Sequence, residues 1–309
     1  MPVQIMLGPQ SPHSNLKNAI DSLSVIGPVV SITAGWSDSE AEIDELQAAV
    51  GRPIEDLNLY HLAEDLFSRE PKLHALHRER QDKLQELQRL YRIRLTPGMT
   101  AARKLLGDKA ESNLLRLEQR AAISQVRALD RHHLRRLSSI HQEFDRRRAE
   151  LQIPGATHLV QTLQQKLAES SLVLIAGGHV AVLINRIRLF RLGEMLAQKP
   201  IIAWSAGAMV LGERIVLFHD DAPQGKRDAE VLDAGLNIVR NVIPLPQAKS
   251  RLDWSSRNRM ALFSRRFAPA KCCTLDNGSM IYLQDDQITD ACQSSVITRS
   301  GMKKTLVAQ

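Results

Sequence analysis

Residues 201–211 read IIAWSAGAMVL. The four apolar residues from Ile201 to Trp204 predict a strand buried on both faces, as strands of a parallel sheet are. Ser205 follows at once, and the small residues Ala206, Gly207 and Ala208 begin a helix. A strand that runs into a helix through a serine has the form of a nucleophile elbow, in which a tight turn holds the hydroxyl outward. The Ala206 N–H, at the start of that helix, is placed to bind an oxyanion. The competing reading is that Ser205 only caps the helix. Spacing alone leaves both open.

Outward from this block, strand and helix signals alternate. On its N-terminal side, SLVLIA (171–176) predicts a buried strand that ends in Gly177 and Gly178, with a helix over 180–197. Near the N-terminus, VQIML (3–7), VVSITA (29–34) and LNLYH (57–61) read as strands. Helical spacing of Leu16, Ala19, Ile20 and Leu23 separates the first two, and a helix started by Ser37–Ser39 separates the last two. On the C-terminal side, strands are expected near 214–218, 237–243 and 271–275, a helix near 250–266 and a hairpin around 279–292. Alternation of this kind predicts an α/β fold with a mostly parallel sheet covered on both faces and an antiparallel edge.

Residues 66–150 break the pattern. They hold 20 Lys/Arg against 11 Asp/Glu, so this one segment carries more than the whole +7 charge of the chain. A helix is expected from Pro71 to Leu95, interrupted by Thr96-Pro97-Gly98, and a second from about 110 to 150. Leu115, Ala122, Val126, Leu129, Leu137, Ile140 and Phe144 form a near-heptad stripe on the second. An amphipathic face needs a partner. The first helix offers one and a second copy of the chain another, so a homo-oligomer through 66–150 is expected, with the hairpin projecting from the core. Clustered arginines such as Arg135, Arg136, Arg146, Arg147 and Arg148 raise the question of nucleic acid. Interspersed acids and the scarcity of aromatics, with only Tyr91 and Phe144 along the helices, argue against it.

Composition narrows the rest. The chain has 309 residues, 43% hydrophobic and 24% charged, which excludes wholesale disorder. No run of 18 apolar residues predicts a membrane span, and MPVQIMLGPQ does not read as a secretory signal. Three cysteines (Cys272, Cys273, Cys292) make neither a disulfide framework nor a zinc pattern, and a cytoplasmic location is expected. The His74/His77 and His133/His141 pairs lack a completing ligand, so no metal is expected. The pair Gly177-Gly178 is too short for a dinucleotide fingerprint, so no cofactor is expected either.

Three blocks carry a resemblance to a known family: LVLIAGGHVAVLINRI (172–187), IIAWSAGAMVL (201–211) and VLDAGLNIVRNVIPLPQAKSRL (231–252). The chain resembles the peptidase E (aspartyl dipeptidase) and cyanophycinase family of serine hydrolases, whose fold is similar to that of class I glutamine amidotransferases. The resemblance spans 1–65 and 151–309, with specific motifs only in the second part. It implies a flavodoxin-like, three-layer α/β core over those residues, with 66–150 as a basic helical insertion. It also implies Ser205 as nucleophile, Gly178 as a second oxyanion donor beside Ala206, and Asp220 as the acid, with Asp221 the close alternative. It implies a small peptide or acidic ligand.

The chain departs from the family at Gln247, where a histidine normally follows the proline, and at His179, where asparagine is usual. Glutamine has no basic nitrogen at neutral pH, so it cannot take the proton from an attacking serine. The expectation is a peptidase-like protein with weak or lost hydrolysis. The alternatives are a binding protein acting through the helical insertion and an active peptidase whose base has moved to His179 or His219.

Overall fold

The structure is a computed structural model, and it describes residues 2–110, 112–220 and 228–307. The chain begins β1 (Gln4–Leu7), α1 (Leu16–Leu23) and β2 (Val29–Ile32). A 3-10 turn (Ala34–Ser39), α2 (Asp44–Val50) and the two-residue β3 (Glu55–Asp56) follow. Four helices come next: α3 (Leu59–Arg69), α4 (Pro71–Gly107), α5 (Asn113–Glu150) and α6 (Pro154–Glu169). Then come β4 (Leu172–Ile175), α7 (Val180–Leu189), α8 (Gly193–Leu196), β5 (Ile201–Trp204) and α9 (Ala206–Leu211). β6 (Arg214–Leu217), β7 (Glu230–Ala234), β8 (Val242–Pro246), α10 (Ala248–Arg251), α11 (Arg257–Phe267) and β9 (Lys271–Leu275) lead to the C-terminal strands. These are β10 (Met280–Gln284), β11 (Gln287–Cys292), β12 (Ser295–Ile297) and β13 (Lys303–Thr305).

The central sheet has the order β11-β10-β1-β5-β4-β2-β3. From β1 to β3 all pairings are parallel, and β10 and β11 add an antiparallel edge. Period-2 alternation explains why the strands read as unbroken apolar runs. In β4, Val173 and Ile175 enter the core beneath α3, α6 and α7, while Leu172 and Leu174 enter the core beneath α1 and α2. Both faces of β1, β2, β4 and β5 are buried, which sends every side chain of these strands into one core or the other.

Several elements differ from expectation. Leu57–His61 is not a strand: α3 starts at Leu59, because Leu59, Ala63, Leu66 and Phe67 make a buried helical stripe. α4 runs unbroken through Thr96-Pro97-Gly98. The expected helix over 180–197 divides into α7 and α8, and that over 250–266 into α10 and α11. The strand expected near 237–243 lies at 242–246 and joins a second sheet, β13-β12-β9-β8, while β6 and β7 pair apart from both.

The helical hairpin does not project. α4 and α5 pack on each other and lie along the body of the protein, against β7 and α11. The stripe residues Ala122, Val126 and Leu129 share a core with Val216, Val231, Phe263 and Phe267, and Phe144 reaches the core under the main sheet. The stripe is therefore covered by α4, the first helix, through Tyr91, Leu95 and Met99, together with this chain's own β6–β7 and α11. No helix among the described residues is long and apolar enough to cross a membrane.

One buried carboxyl ties β3 to β2. Asp56 Oδ2 accepts from Ser31 Oγ (2.5 Å) and Thr33 Oγ1 (2.8 Å), and Oδ1 accepts from the Asn58 N–H (2.7 Å). Burial pushes its carboxyl up to about 6, against the pull of those donors. The folded chain thus keeps the proton up to about pH 6, whereas the unfolded chain loses it near pH 3.9. The stability this contributes is complete below about pH 4 and disappears as the pH rises through 6, an effect of about 3 kcal/mol. Urea midpoints of wild type and Asp56→Asn between pH 4 and 7 should therefore diverge, with the fall confined to the wild type. Parallel curves would disprove the assignment.

Candidate functional site

β1, β5, β4 and β2 all point their carboxyl ends to one side of the sheet, where ligands of open α/β sheets bind. Ser205 sits there, between β5 and α9, with φ 51° and ψ −118°. A non-glycine residue held in such a conformation costs about 1–3 kcal/mol, and such strain gathers at functional sites. The backbone is fixed on both sides: the Ser205 N–H donates to Leu7 O (3.2 Å), and Ser205 O accepts from the Met209 N–H (3.2 Å). Its side chain makes no capping hydrogen bond to α9, so the helix-cap reading loses its physical basis. Small residues are required because the start of α9 presses on the end of β4. A Cβ on Gly207 would collide with Ile175 O and come 2.8 Å from Ala176 O.

The glycine turn after β4 lies directly against the serine. A Cβ on Gly177 would stand 3.0 Å from Ser205 Cβ and 3.7 Å from Ala206 N. Gly178 has φ +101°, and its far side meets the backbone of Gly35. The His179 N–H closes this contact by donating to Gly35 O (2.7 Å). Sequence reasoning missed the loop after β2 as part of this neighbourhood. Ser37, read as a helix start, repeats the dihedrals of Ser205 (φ 56°, ψ −122°). No spacing signal marks it, because the contact is made across the ends of two strands.

Gln247 follows β8 in a left-handed conformation (φ 57°, ψ 35°) and is exposed. β8 starts beside the end of α9, where Val242 O faces Gly212. Its far end is tied toward the serine by a chain of backbone contacts. The Gln247 N–H donates to Leu275 O (2.9 Å), Gly8 packs on the Leu275–Asp276 backbone, and Leu7 O receives the Ser205 N–H. Gln247 and Ser205 thus share one end of the molecule.

Asp220 is buried, and both of its oxygens are engaged. Oδ1 receives Arg259 Nε (2.8 Å) and Nη2 (2.6 Å), and Oδ2 receives the Asp253 N–H (2.8 Å). Asp221 lies outside the described residues. His219 is exposed while Asp220 is buried, so the two neighbours face opposite ways. His179 caps α7: its Nδ1 accepts from the Val182 N–H (3.3 Å). No cluster of His, Cys, Asp or Glu among the described residues is arranged to hold a metal ion. Cys272 and Cys273 are fully buried in β9, where burial pushes both thiols up, Cys273 to about 12.

Comparison with known proteins adds a family. A model described as Peptidase family S51 matches residues 129–291, just over half of the chain. That span contains Gly178, Ser205, Asp220 and Gln247. Among solved structures, a crystal structure of a peptidase from an acI-B1 Actinobacterium is similar at 12% identity and a TM-score of 0.46, covering 100% of this chain and 95% of that one. Among curated proteins, none matches.

Proposed function

This chain belongs to peptidase family S51, and from that premise we propose that it is a peptidase-like serine hydrolase whose hydrolysis is weakened at Gln247. Its core is of the flavodoxin-like, three-layer type shared with class I glutamine amidotransferases. The observation that carries the proposal is Ser205 on its strained turn, uncapped and pressed against Gly177. In this reading Ser205 Oγ is the nucleophile, and the N–H groups of Ala206 and Gly178 bind the oxyanion. A small peptide is the ligand.

Attack by a serine hydroxyl requires a base that takes the proton and then delivers it to the leaving group. In this reading Gln247 takes the place of that base and offers only an amide. His179 is a poor substitute, since its Nδ1 already accepts from α7 and its proton then sits on Nε2. His219 faces away from its buried neighbour. Asp220, bound to Arg259, is not poised to orient an imidazole. The free, buried thiols of Cys272 and Cys273 fit a reducing cytoplasm.

A fluorophosphonate probe tests this directly, because phosphonylation also needs a deprotonated serine. Mass spectrometry of the treated wild type should show only slow, partial labelling at Ser205, which is absent in Ser205→Ala. Rapid stoichiometric labelling at Ser205 would mean a working base exists and would sink the proposal.

A second reading, a binding protein acting through the helical segment, draws on one further feature. A groove of about 630 Å³ between α5 and α11 is lined by Arg116, Arg120, Arg127, Arg265 and Arg299, with no carboxylate in its lining. Such a surface suits an acidic protein partner, and this reading requires no labelling of Ser205 at all.

A further inference from the structure

Two adjoining hollows, of about 600 and 440 Å³, lie between the hairpin, α6 and the far end of α7, and they share Gln164 and Arg191 in their walls. Each is lined by a buried arginine that the mechanism does not use, Arg80 of α4 in the larger and Arg148 of α5 in the smaller. Arg80 is 4% exposed and Arg148 9%. Buried arginines are normally paired with carboxylates. These two have no carboxylate partner among the described residues.

Arg80 is instead held in place by neutral groups. Its Nη2 contacts His77 Nδ1 (3.0 Å) and Asn185 Oδ1 (3.4 Å), and its guanidinium lies 4.0 Å over the Phe144 ring. Its Nε is buried with no partner at all. Arg148 donates from Nη1 to Leu189 O and makes no other hydrogen bond among the described residues. Burial, with neighbouring arginines, pulls both down to about 10, so both remain charged at neutral pH.

The acids nearby do not neutralise this pair. Asp233 is taken by Arg188 Nη1 (2.5 Å) and His141 Nε2 (3.1 Å). Asp145, whose charge acts on both arginines without bonding either, and Glu194 are exposed at the rim. The opposite wall of the smaller hollow is apolar, with Ile153, Ala156 and Val160. Arg80 in one hollow and Arg148 in the other, on either side of the shared Gln164 and Arg191, offer guanidinium donors to an oxyanion, and two positive charges match a dianion better than a carboxylate.

From this arrangement we propose that the cleft binds the phosphate group of a small phosphomonoester, with the rest of the molecule against the Ile153–Val160 wall. The site is separate from Ser205, at the opposite end of α7 from the glycine turn.

Calorimetric titration of the full-length protein at fixed ionic strength tests it, with inorganic phosphate, phenyl phosphate and benzoate as probes. One phosphate should bind per chain, phenyl phosphate should bind several-fold more tightly and benzoate more weakly. Arg148→Gln should weaken phosphate binding at least tenfold. Gln164→Glu adds a repelling charge to the shared wall without removing packing, so it should weaken binding comparably and decides the matter where Arg148→Gln fails to fold. Ser205→Ala should bind as the wild type does. The proposal is overturned if neither phosphate gives a saturable signal, if Gln164→Glu binds like the wild type, or if Ser205→Ala abolishes binding.

Discussion

Gln247→His is expected to raise hydrolysis of aspartyl dipeptides and chromogenic esters by about 10²–10⁴ over the wild type, the range a positioned general base contributes. The reasoning is geometric first. Gln247 already stands at the serine end of the sheet, fixed by its N–H bond to Leu275 O, and its left-handed turn is compatible with histidine at modest cost. What the wild type lacks is a nitrogen that titrates near neutrality, and imidazole supplies it. The gain should appear in kcat, since amide and imidazole fill similar space and the bound peptide is little affected.

The low end of that range is the sharper expectation. Asp220 is committed to Arg259 and the Asp253 N–H, so it does not orient the new imidazole. An unsupported histidine loses the advantage of a fixed tautomer. The variant's rate should rise with pH through the ordinary imidazole range, near 6.5, because only the neutral ring accepts the proton. Equal and readily measured activity in the wild type would show that another base serves Ser205. A variant that binds peptide yet stays inactive would show that Gln247 does not occupy the imidazole position.

What the sequence made legible was local. IIAW, SLVLI and VQIML announced buried parallel strands because each side chain of such a strand meets one core or the other. The antiparallel edge was equally readable from β10 and β11, where turn residues separate short runs. The elbow showed itself through the demand for small residues where α9 crosses the end of β4. Less legible was LNLYH, whose apolar–polar alternation fits a strand as well as the first turn of α3. Only Ala63, Leu66 and Phe67, further along, favour the helix. Pro97-Gly98 looked like a break, yet α4 continues. The packing of α5 there, with Val126 Cγ2 3.5 Å from where a Gly98 Cβ would stand, offsets the lost backbone bond. The hydrophobic stripe of α5 stated that a partner exists without saying which. α4, which covers part of it, is its neighbour in sequence, but β6, β7 and α11 begin at Arg214, Glu230 and Arg257, long after α5 ends at Glu150, and no local periodicity reports such a contact. Asp220, expected as the acid, shows the same limit: no sequence signal marked its ties to Arg259 and the Asp253 N–H.

The largest stability effect is expected at the junction between the hairpin and the body. Arg266 of α11 is fully buried and grips Asp130 of α5 in bidentate fashion, Nε to Oδ2 (2.7 Å) and Nη2 to Oδ1 (2.8 Å). Nη2 also donates to Tyr91 Oη of α4 (2.7 Å), Nη1 donates to Ala229 O (2.6 Å), and Tyr91 Oη donates to Asp130 Oδ1 (2.7 Å). Asp130→Ala removes the carboxylate bonded to Arg266 and strands a guanidinium in the interior. Loss of one partner of a buried pair costs about 3–5 kcal/mol, a large share of the 5–15 kcal/mol by which folded proteins are stable. The triple variant Tyr91→Phe/Asp130→Leu/Arg266→Met replaces the network with apolar side chains of similar size. It should recover most of that loss, since a buried ion pair and a well-packed apolar substitute are often close in stability. Chemical denaturation followed by tryptophan fluorescence and by circular dichroism reads both variants. Because the network spans α4, α5, α11 and the approach to β7, Asp130→Ala should shift one shared transition in both signals. In a Trp254→Phe background, which removes the tryptophan packed on the core shared with the hairpin, fluorescence from Trp36 and Trp204 reports on the sheet, so an unmoved fluorescence transition beside a shifted helical one would mean that the hairpin unfolds as a unit of its own. A loss below about 1 kcal/mol would mean that the packing of α5 on β7 and α11, and not the ion pair, joins the hairpin to the sheet.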